Sequence, residues 1–346
     1  MLKAADTNFL WRALELAGRG EGHTRPNPPV GAVIVKNGKI VGEGWHKRCG
    51  DDHAEVAAIK NAAGKLKGRF LTSGEDAASL LRGSTLYVTL EPCSKPGRVG
   101  ACTDAIIAAG IKRVVYAVPD PNPTNRGRAK RVLAKQDVKC VCYAEEWPKS
   151  LVVQQARRTI APFAKHVLTG LPYVTVKIAM SLDGKICDDF GNARWISSEK
   201  SRQMTGRLRE KVDAIMVGAE TVRKDNPSLL SHNKRNDDLI RVVVTRSGKL
   251  PKNAQIFTDG APNATRVFRV GKDAKDLKDV LRQLGKTGVM HVLCEGGLKL
   301  ARSLADAGLV DEWMTVLAPK VIGSRSVDNA VLFANRSDVI ISTEDM

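Results

Sequence analysis

The chain has 346 residues, 43% hydrophobic and 27% charged, ordinary globular proportions that exclude wholesale disorder, collagen-like repeats and fibres. At roughly 150 residues per domain, this length suggests two domains, each large enough for a core of its own. Fifty-five Lys and Arg against 37 Asp and Glu give a formal charge of +18, a field that attracts anions from small phosphates to RNA without choosing among them. The longest apolar runs, such as 29–35 and 214–217, fall far below the roughly 18 residues of a membrane span, so no membrane contact is expected. No basic stretch leads into an apolar one near the N-terminus, so no secretory signal is expected. Seven cysteines, odd in number and unevenly spaced, suit a reducing compartment, and the expected location is cytoplasmic.

In chain order, Trp11, Arg12 and Glu15 lie on a helical pattern, and 30–35 reads as a strand. Lys36-Asn37-Gly38-Lys39 then turns the chain back into Ile40-Val41-Gly42, an antiparallel hairpin. Helix is expected at 54–63, strand at 84–90, helix at 104–109, strand at 114–118, helix at 126–135 and strand at 138–143. These alternating elements make one α/β unit, with the first domain at 1–146. The basic stretch 147–170, punctuated by Pro148, Pro162 and Gly170, reads as a linker. A second α/β domain at 171–346 follows, with strands at 173–176, 214–217, 241–245, 265–270 and 289–294 and helices at 198–211 and 298–307.

His53-Ala54-Glu55, Glu91-Pro92-Cys93 and Cys102 carry the sharpest chemistry. One imidazole and two thiolates form a three-ligand zinc set with the fourth position open, and an open position points to catalysis. Water in that position has its pKa lowered towards about 7. Two residues apart, His53 and Glu55 would be separated by about 200° in mid-helix. Both therefore face one site only at a helix start, and Asp51 and Asp52 suit such a start. Glu55 is the expected proton shuttle from water to a leaving amine. Cys140, Cys142, Cys187 and Cys294 lie in or beside apolar strands and Cys49 in a turn-like stretch, so none is expected to be a ligand.

With Thr24-Arg-Pro-Asn-Pro-Pro-Val-Gly31, Thr89-Leu-Glu-Pro-Cys93 and Asp120-Pro-Asn-Pro123 added, the chain resembles the bifunctional deaminase/reductase family of riboflavin biosynthesis over nearly its whole length. Eight residues separate Cys93 from Cys102, where nucleic-acid and nucleoside deaminases usually have two, which favours the riboflavin branch. The resemblance implies a cytidine-deaminase-like three-layer α/β/α domain in which Asn27 and His46 line a pyrimidine pocket. Lys95 stands where many members have histidine.

In the second half, Val217-Gly218-Ala-Glu-Thr221 and Cys294-Glu-Gly-Gly297 are strand-to-helix junctions whose glycines allow close backbone approach and whose helix starts can hold phosphate. Each alone is also consistent with a plain turn or cap, and neither is a Gly-x-Gly-x-x-Gly fingerprint. Ser181-Leu-Asp-Gly184, Trp195-Ile196, Asp225-Asn-Pro227, Glu295-Gly-Gly297 and Ala318-Pro-Lys320 are similar to the family's reductase domain, a dihydrofolate-reductase-like α/β fold that uses NADPH. The resemblance implies that Ala179, Trp195, Thr221, Asp225 and the turn Gly297, Leu298, Lys299 and Leu300 contact the cofactor. It implies that Arg209, Leu229, His232 and Glu295 hold the phosphorylated substrate, with Lys177 and Asp183 near the hydride path. Ala193 stands where many members have serine, Arg246 where many have a small polar residue, and His232 where bacterial members often have arginine. The chain is also shorter after Gly323 than most relatives, so abbreviated closing strands are expected.

The expected function is zinc-dependent deamination of a phosphorylated pyrimidine followed by NADPH-dependent reduction of its ribosyl side chain. A nucleic-acid deaminase with a binding module in its second half is the rival. Low aromatic content speaks against it, since single-stranded recognition uses stacking platforms, so no nucleic-acid partner is expected. A homo-oligomer is left open.

Overall fold

The computed structural model describes residues 2, 4–70, 81–95, 100–188, 190, 196–231, 239–261, 264–271 and 273–323. The chain divides into two units, Met1–Thr169 and Gly170–Met346. No helix among the described residues is long and apolar enough to cross a membrane.

The first unit runs α1 (Ala4–Gly18), β1 (Gly31–Lys36), β2 (Lys39–Trp45), α2 (Ala54–Phe70), β3 (Thr85–Leu90), α3 (Cys102–Ala108), β4 (Arg113–Val118), α4 (Arg128–Ala134), β5 (Lys139–Cys142), α5 (Tyr143–Glu146) and α6 (Leu151–Thr169). Its sheet has the order β2-β1-β3-β4-β5. The β1 strand is antiparallel to both neighbours, whereas β3, β4 and β5 are mutually parallel. The expected hairpin is present, with Asn37 at φ 51° and Gly38 at φ 75°, the pair of left-handed residues that matches strand twist in a two-residue turn.

Strand alternation sorts the core into two faces. Ala32, Ile34, Leu86, Val88, Val114 and Tyr116 pack with Ala54 and Ala58 of α2, Ile106 of α3 and Leu133 of α4. The residues between them, Val33, Val35, Tyr87, Val115 and Ala117, pack with Leu10 and Leu14 of α1 and Val152, Val153 and Ile160 of α6. Helices cover both faces of the sheet, giving the three layers.

This corrects the linker expectation. Residues 151–169 are helix, and Val152, Val153, Ala156 and Ile160 are buried in the first unit's core. The apolar positions recur at helical spacing, which outweighs the punctuation at Pro148 and Pro162, and Pro162 lies inside the helix. The unit therefore ends at Thr169 instead of residue 146.

The start of α2 is set by β2. A Cβ on Gly44 would stand 2.3 Å from Ala58 N and 2.6 Å from Ala54 O, so only glycine lets the helix backbone lie directly on the strand. Gly44→Ala is expected to destabilise the unit by about 1–3 kcal/mol through overpacking, read as a lower urea midpoint. An unchanged midpoint would show that the helix yields.

The second unit runs β6 (Tyr173–Ser181), α7 (Glu199–Arg209), β7 (Ala214–Gly218), α8 (Ala219–Asp225), β8 (Ile240–Thr245), α9 (Gln255–Thr258), β9 (Thr265–Arg269), α10 (Ala274–Lys286), β10 (His291–Cys294), α11 (Leu298–Asp306) and β11 (Glu312–Ala318). Ser198 caps α7 by accepting from Ser201 N, and Asp273 caps α10 by accepting from Lys275 N. The sheet has the order β11-β6-β10-β7-β8-β9, and its pairs are parallel. Ala214 and Met216 of β7 face Leu281 of α10 and Leu304 of α11, whereas Ile215 and Val217 face Val222 of α8 and Ile256 of α9. Parallel strands covered on both faces read as the continuous apolar runs of the sequence. The strand β11 is formed over 312–318. The expectation of abbreviated strands after Gly323 falls on residues 324–346, outside the described ones.

Burial pushes the His291 imidazole down to about 4, and its Nε2 lies 2.9 Å from Thr175 Oγ1. The ring is neutral in the fold, whereas the unfolded chain takes up a proton near pH 6.5. Stability is therefore expected to fall as pH drops from about 6.5 towards about 4, by on the order of 2–3 kcal/mol. Urea midpoints across that window check it, and His291→Gln should flatten the profile.

Candidate functional site

Three elements deliver the three soft donors of the first unit. His53 ends the loop before α2, and its carbonyl accepts the first helical bond from Ala57 N at 2.9 Å. Cys93 follows the C-terminal end of β3, and Cys102 opens α3. His53 Nδ1 lies 3.2 Å from Cys102 Sγ and 3.5 Å from Cys93 Sγ, and the sulfurs are 3.3 Å apart. A tetrahedral zinc ion with bonds of about 2.0–2.3 Å spaces such donors by about 3.5–3.8 Å, so this triangle fits one within a few tenths of an ångström. Among the described residues, no other group of three His, Cys, Asp or Glu side chains converges in this way.

Glu55 sits in the first turn of α2, as the helix-start argument requires, and is 4% exposed. Burial pushes its carboxyl up to about 7, and the nearby charge of Cys93 pushes the same way. The Cys93 thiol is lowered chiefly by its hydrogen bond with Cys102 and also by His53. Cys102 Sγ is correspondingly raised, and Cys102 N at the start of α3 donates to Cys93 Sγ at 3.3 Å. The hydrogen bond with Cys93 raises the His53 imidazole. A bound cation would replace these shared protons, so metal uptake releases acid.

His53, Glu55 and Cys93 line a cavity together with Asn27, His46, Glu91, Asp120 and Phe163. His46 Nδ1 lies 3.0 Å from the carbonyl of Asp52, which can only accept, so the proton sits on Nδ1. His46 Nε2 then accepts from Asn27 Nδ2 at 3.0 Å. The two residues expected to line the pyrimidine pocket thus hold each other at its wall. Sequence reasoning missed Asn125 and Phe163, and gave Glu91 only as part of the Glu-Pro-Cys motif, with no role of its own. Phe163 was hidden by the linker reading of α6. The roles of Glu91 and Asn125 lie in hydrogen bonds to segments distant in sequence, which the residues alone do not announce.

In the second unit the two glycine-bearing junctions meet. Glu295 N donates to Met216 O at 3.0 Å, and a Cβ on Gly296 would stand 3.3 Å from Gly218 N. A second cavity opens there, lined by Lys177, Ala179, Thr221, Asp225, Glu295, Gly297 and Leu298. It lies at the carboxyl ends of β6, β10 and β7, where the strand order switches direction, the usual crevice of parallel α/β sheets. Burial lowers the Lys177 ammonium and Glu295 opposes that.

The remaining expected residues are more dispersed. Arg209 makes a two-pronged ion pair with Glu295, at 2.7 and 2.9 Å, and donates to Leu230 O. Leu229 is buried in the apolar cluster with Val217 and Val243. Asp183 binds Ser181 Oγ and the amides of Ile322 and Gly323, which hold its carboxyl low. Lys299 is exposed on α11, and Leu300 packs against the core. Trp195, His232 and Ala193 lie outside the described residues, and Arg246 is exposed.

Comparison with known proteins gives two family matches. Residues 3–118 match the cytidine and deoxycytidylate deaminase zinc-binding region, and residues 172–334 match the RibD C-terminal domain. The riboflavin biosynthesis protein RibD of Aquifex aeolicus is 35% identical over 93% of this chain and 89% of its own. That of Bacillus amyloliquefaciens is 39% identical over 91% of this chain and 85% of its own. The solved structure of Acinetobacter baumannii RibD superposes with a TM-score of 0.78 at 31% identity, covering 97% of this chain and 92% of that one. A Thermotoga maritima diaminohydroxyphosphoribosylaminopyrimidine deaminase/5-amino-6-(5-phosphoribosylamino)uracil reductase gives 0.78 at 33% identity, covering 92% and 88%.

The purified chain is expected to hold one zinc ion by metal analysis. Cys102→Ser should lose it, whereas Cys142→Ser, on the outer strand β5, should retain it; equal zinc in both variants would exclude this donor set.

Proposed function

The chain belongs to the RibD family of riboflavin-biosynthesis enzymes, which join a deaminase to a reductase, and on that premise we propose which of its residues carry each step. In the first unit, water displaces the 2-amino group of 2,5-diamino-6-ribosylamino-4(3H)-pyrimidinone 5′-phosphate, and ammonia leaves. His53, Cys93 and Cys102 would hold zinc, which when bound supplies Lewis-acid activation of water near neutral pH.

Glu55 takes the proton from the attacking water and passes it to the departing amine. A carboxyl poised near pH 7 both accepts and releases a proton at low cost, and the burial of Glu55 supports that role. Asn27, its amide nitrogen committed to His46, keeps its carbonyl oxygen for a pyrimidine N–H. His46, fixed by Asp52, holds that amide in place. The single observation that carries the deaminase assignment is the convergence of three soft donors beside a buried carboxyl.

In the second unit the opened ribosyl chain is reduced to ribityl, and NADPH, when bound, would supply the hydride for that reduction, with one proton from the medium. Ala179, Thr221, Asp225, Gly297 and Leu298 border one cavity, and the exposed start of α11 at Gly297 suits a phosphate of the cofactor. Trp195, Lys299 and Leu300 complete the proposed cofactor contacts. Arg209, Leu229, His232 and Glu295 are the proposed substrate contacts, with Lys177 at the cavity wall and Asp183 nearby in sequence. Phosphates on both substrate and cofactor suit a chain of charge +18. The match of 172–334 to a reductase domain replaces the rival of a nucleic-acid-binding second half.

Glu55→Gln is expected to reduce ammonia release about 10²–10⁴-fold, with zinc content unchanged and NADPH oxidation by the deaminated product retained. Deamination within tenfold of the parent would remove Glu55 from the proton path.

A further inference from the structure

Two buried side chains tie the strand end that carries Cys93 to the loop after β4. Glu91, 3% exposed, accepts from Asp120 N at 3.2 Å and Gly127 N at 3.0 Å through Oε2, and from Ala129 N at 3.2 Å through Oε1. A carboxylate met by three backbone N–H donors anchors that loop to the residue two before Cys93.

The return connection runs through Asn125, 7% exposed. Its Oδ1 accepts from Ser94 N and from Ser94 Oγ, both at 3.1 Å, which fixes the residue immediately after Cys93. Its Nδ2 donates to Asp120 Oδ2 at 2.8 Å, while Asp120 Oδ1 accepts from Asn122 N at 2.8 Å. Asp120 and Cys93 line the same cavity. One amide thus touches the backbone beside a metal donor with one end and a cavity-wall carboxylate with the other.

The geometry points to Asn125 as a positioning residue of the deaminase site, setting Cys93 for the metal through Ser94 and aiming Asp120 at the pyrimidine through its amide N–H. Side chains that orient a ligand without touching the metal account for a large part of a site's affinity. Both hydrogen bonds to Ser94 lie just outside the donor triangle, and the bond to Asp120 holds that carboxylate against the loop on the cavity's wall. This role rests on the deaminase reading of that cavity.

The test uses the full chain, titrating zinc against a competing chromophoric chelator and following ammonia release over a range of substrate concentrations. Asn125→Ala is expected to weaken zinc binding about 10–100-fold and to raise KM. Asn125→Asp, assayed at pH 8 to keep both carboxyls ionised, keeps an oxygen for Ser94 and replaces the donor to Asp120 by like-charge repulsion across about 2.8 Å. It is expected to bind zinc within about threefold of the parent while KM rises about tenfold, a split that loss of packing would not produce. A parent chain that binds no zinc would overturn the deaminase reading and this inference together. A zinc-binding parent would overturn the inference alone if N125D kept the parent KM, or if a folded N125A kept both zinc affinity and KM within twofold.

Discussion

Everything assigned to the first unit depends on three donor atoms, from three separate elements, standing within 4.8 Å of one another. None is adjacent to another in sequence, so the backbone has to bring them together. The parallel pairing of β3 with β4 sets the strand end before Cys93, α3 begins at Cys102, and α2 is laid against β2 by glycine contact. Two sulfurs at 3.3 Å with one imidazole beside them do not both ionise readily, so a proton is shared across the pair. The opposite displacements of Cys93 and Cys102 reflect that shared proton, and a bound divalent ion would take its place.

The second unit obeys a different constraint. Its chain proceeds outward from β6 and β7 to β9, then returns through α10 to insert β10 between β6 and β7. The insertion leaves a crevice at the strand ends, and both glycine-bearing junctions open into it. Neither junction is distinctive by itself. Their meaning comes from being side by side, with Glu295 N bonded to Met216 O. Arg209 and Glu295 form a pair at 2.7 Å beside the crevice, which holds the carboxylate at its wall.

Much of this was legible in the residues. Periodicity located the strands and helices because alternating or continuous apolar runs are the direct imprint of burial on one face or both. His53, Glu55, Cys93 and Cys102 were legible because their chemistry is rare enough to signal itself. The helix α6 was misread, since Pro162 and Pro148 were weighed as breaks while the spacing of Val152, Val153, Ala156 and Ile160 carried the opposite message. Asn125 and the hydrogen-bonding role of Glu91 were illegible for another reason. Their partners are backbone amides, a serine and the Asp120 carboxylate, and nothing in a linear sequence says which loop will pass within about 3 Å of which strand end. In the second half, a turn of four residues was expected to meet the cofactor, yet only Gly297 and Leu298 border the cavity, because side chains on a helix diverge after its first residues.

The placement of α6 decides where this polypeptide can be divided. A cut after residue 146 would strip Val152, Val153 and Ile160 from the layer they share with Leu10 and Leu14, and would remove Phe163 from the wall of the cavity that holds Glu55. A cut between Thr169 and Gly170 leaves each sheet with the helices that cover it. Any natural or engineered separation of the two activities onto independent polypeptides therefore has to carry that last helix with the deaminase.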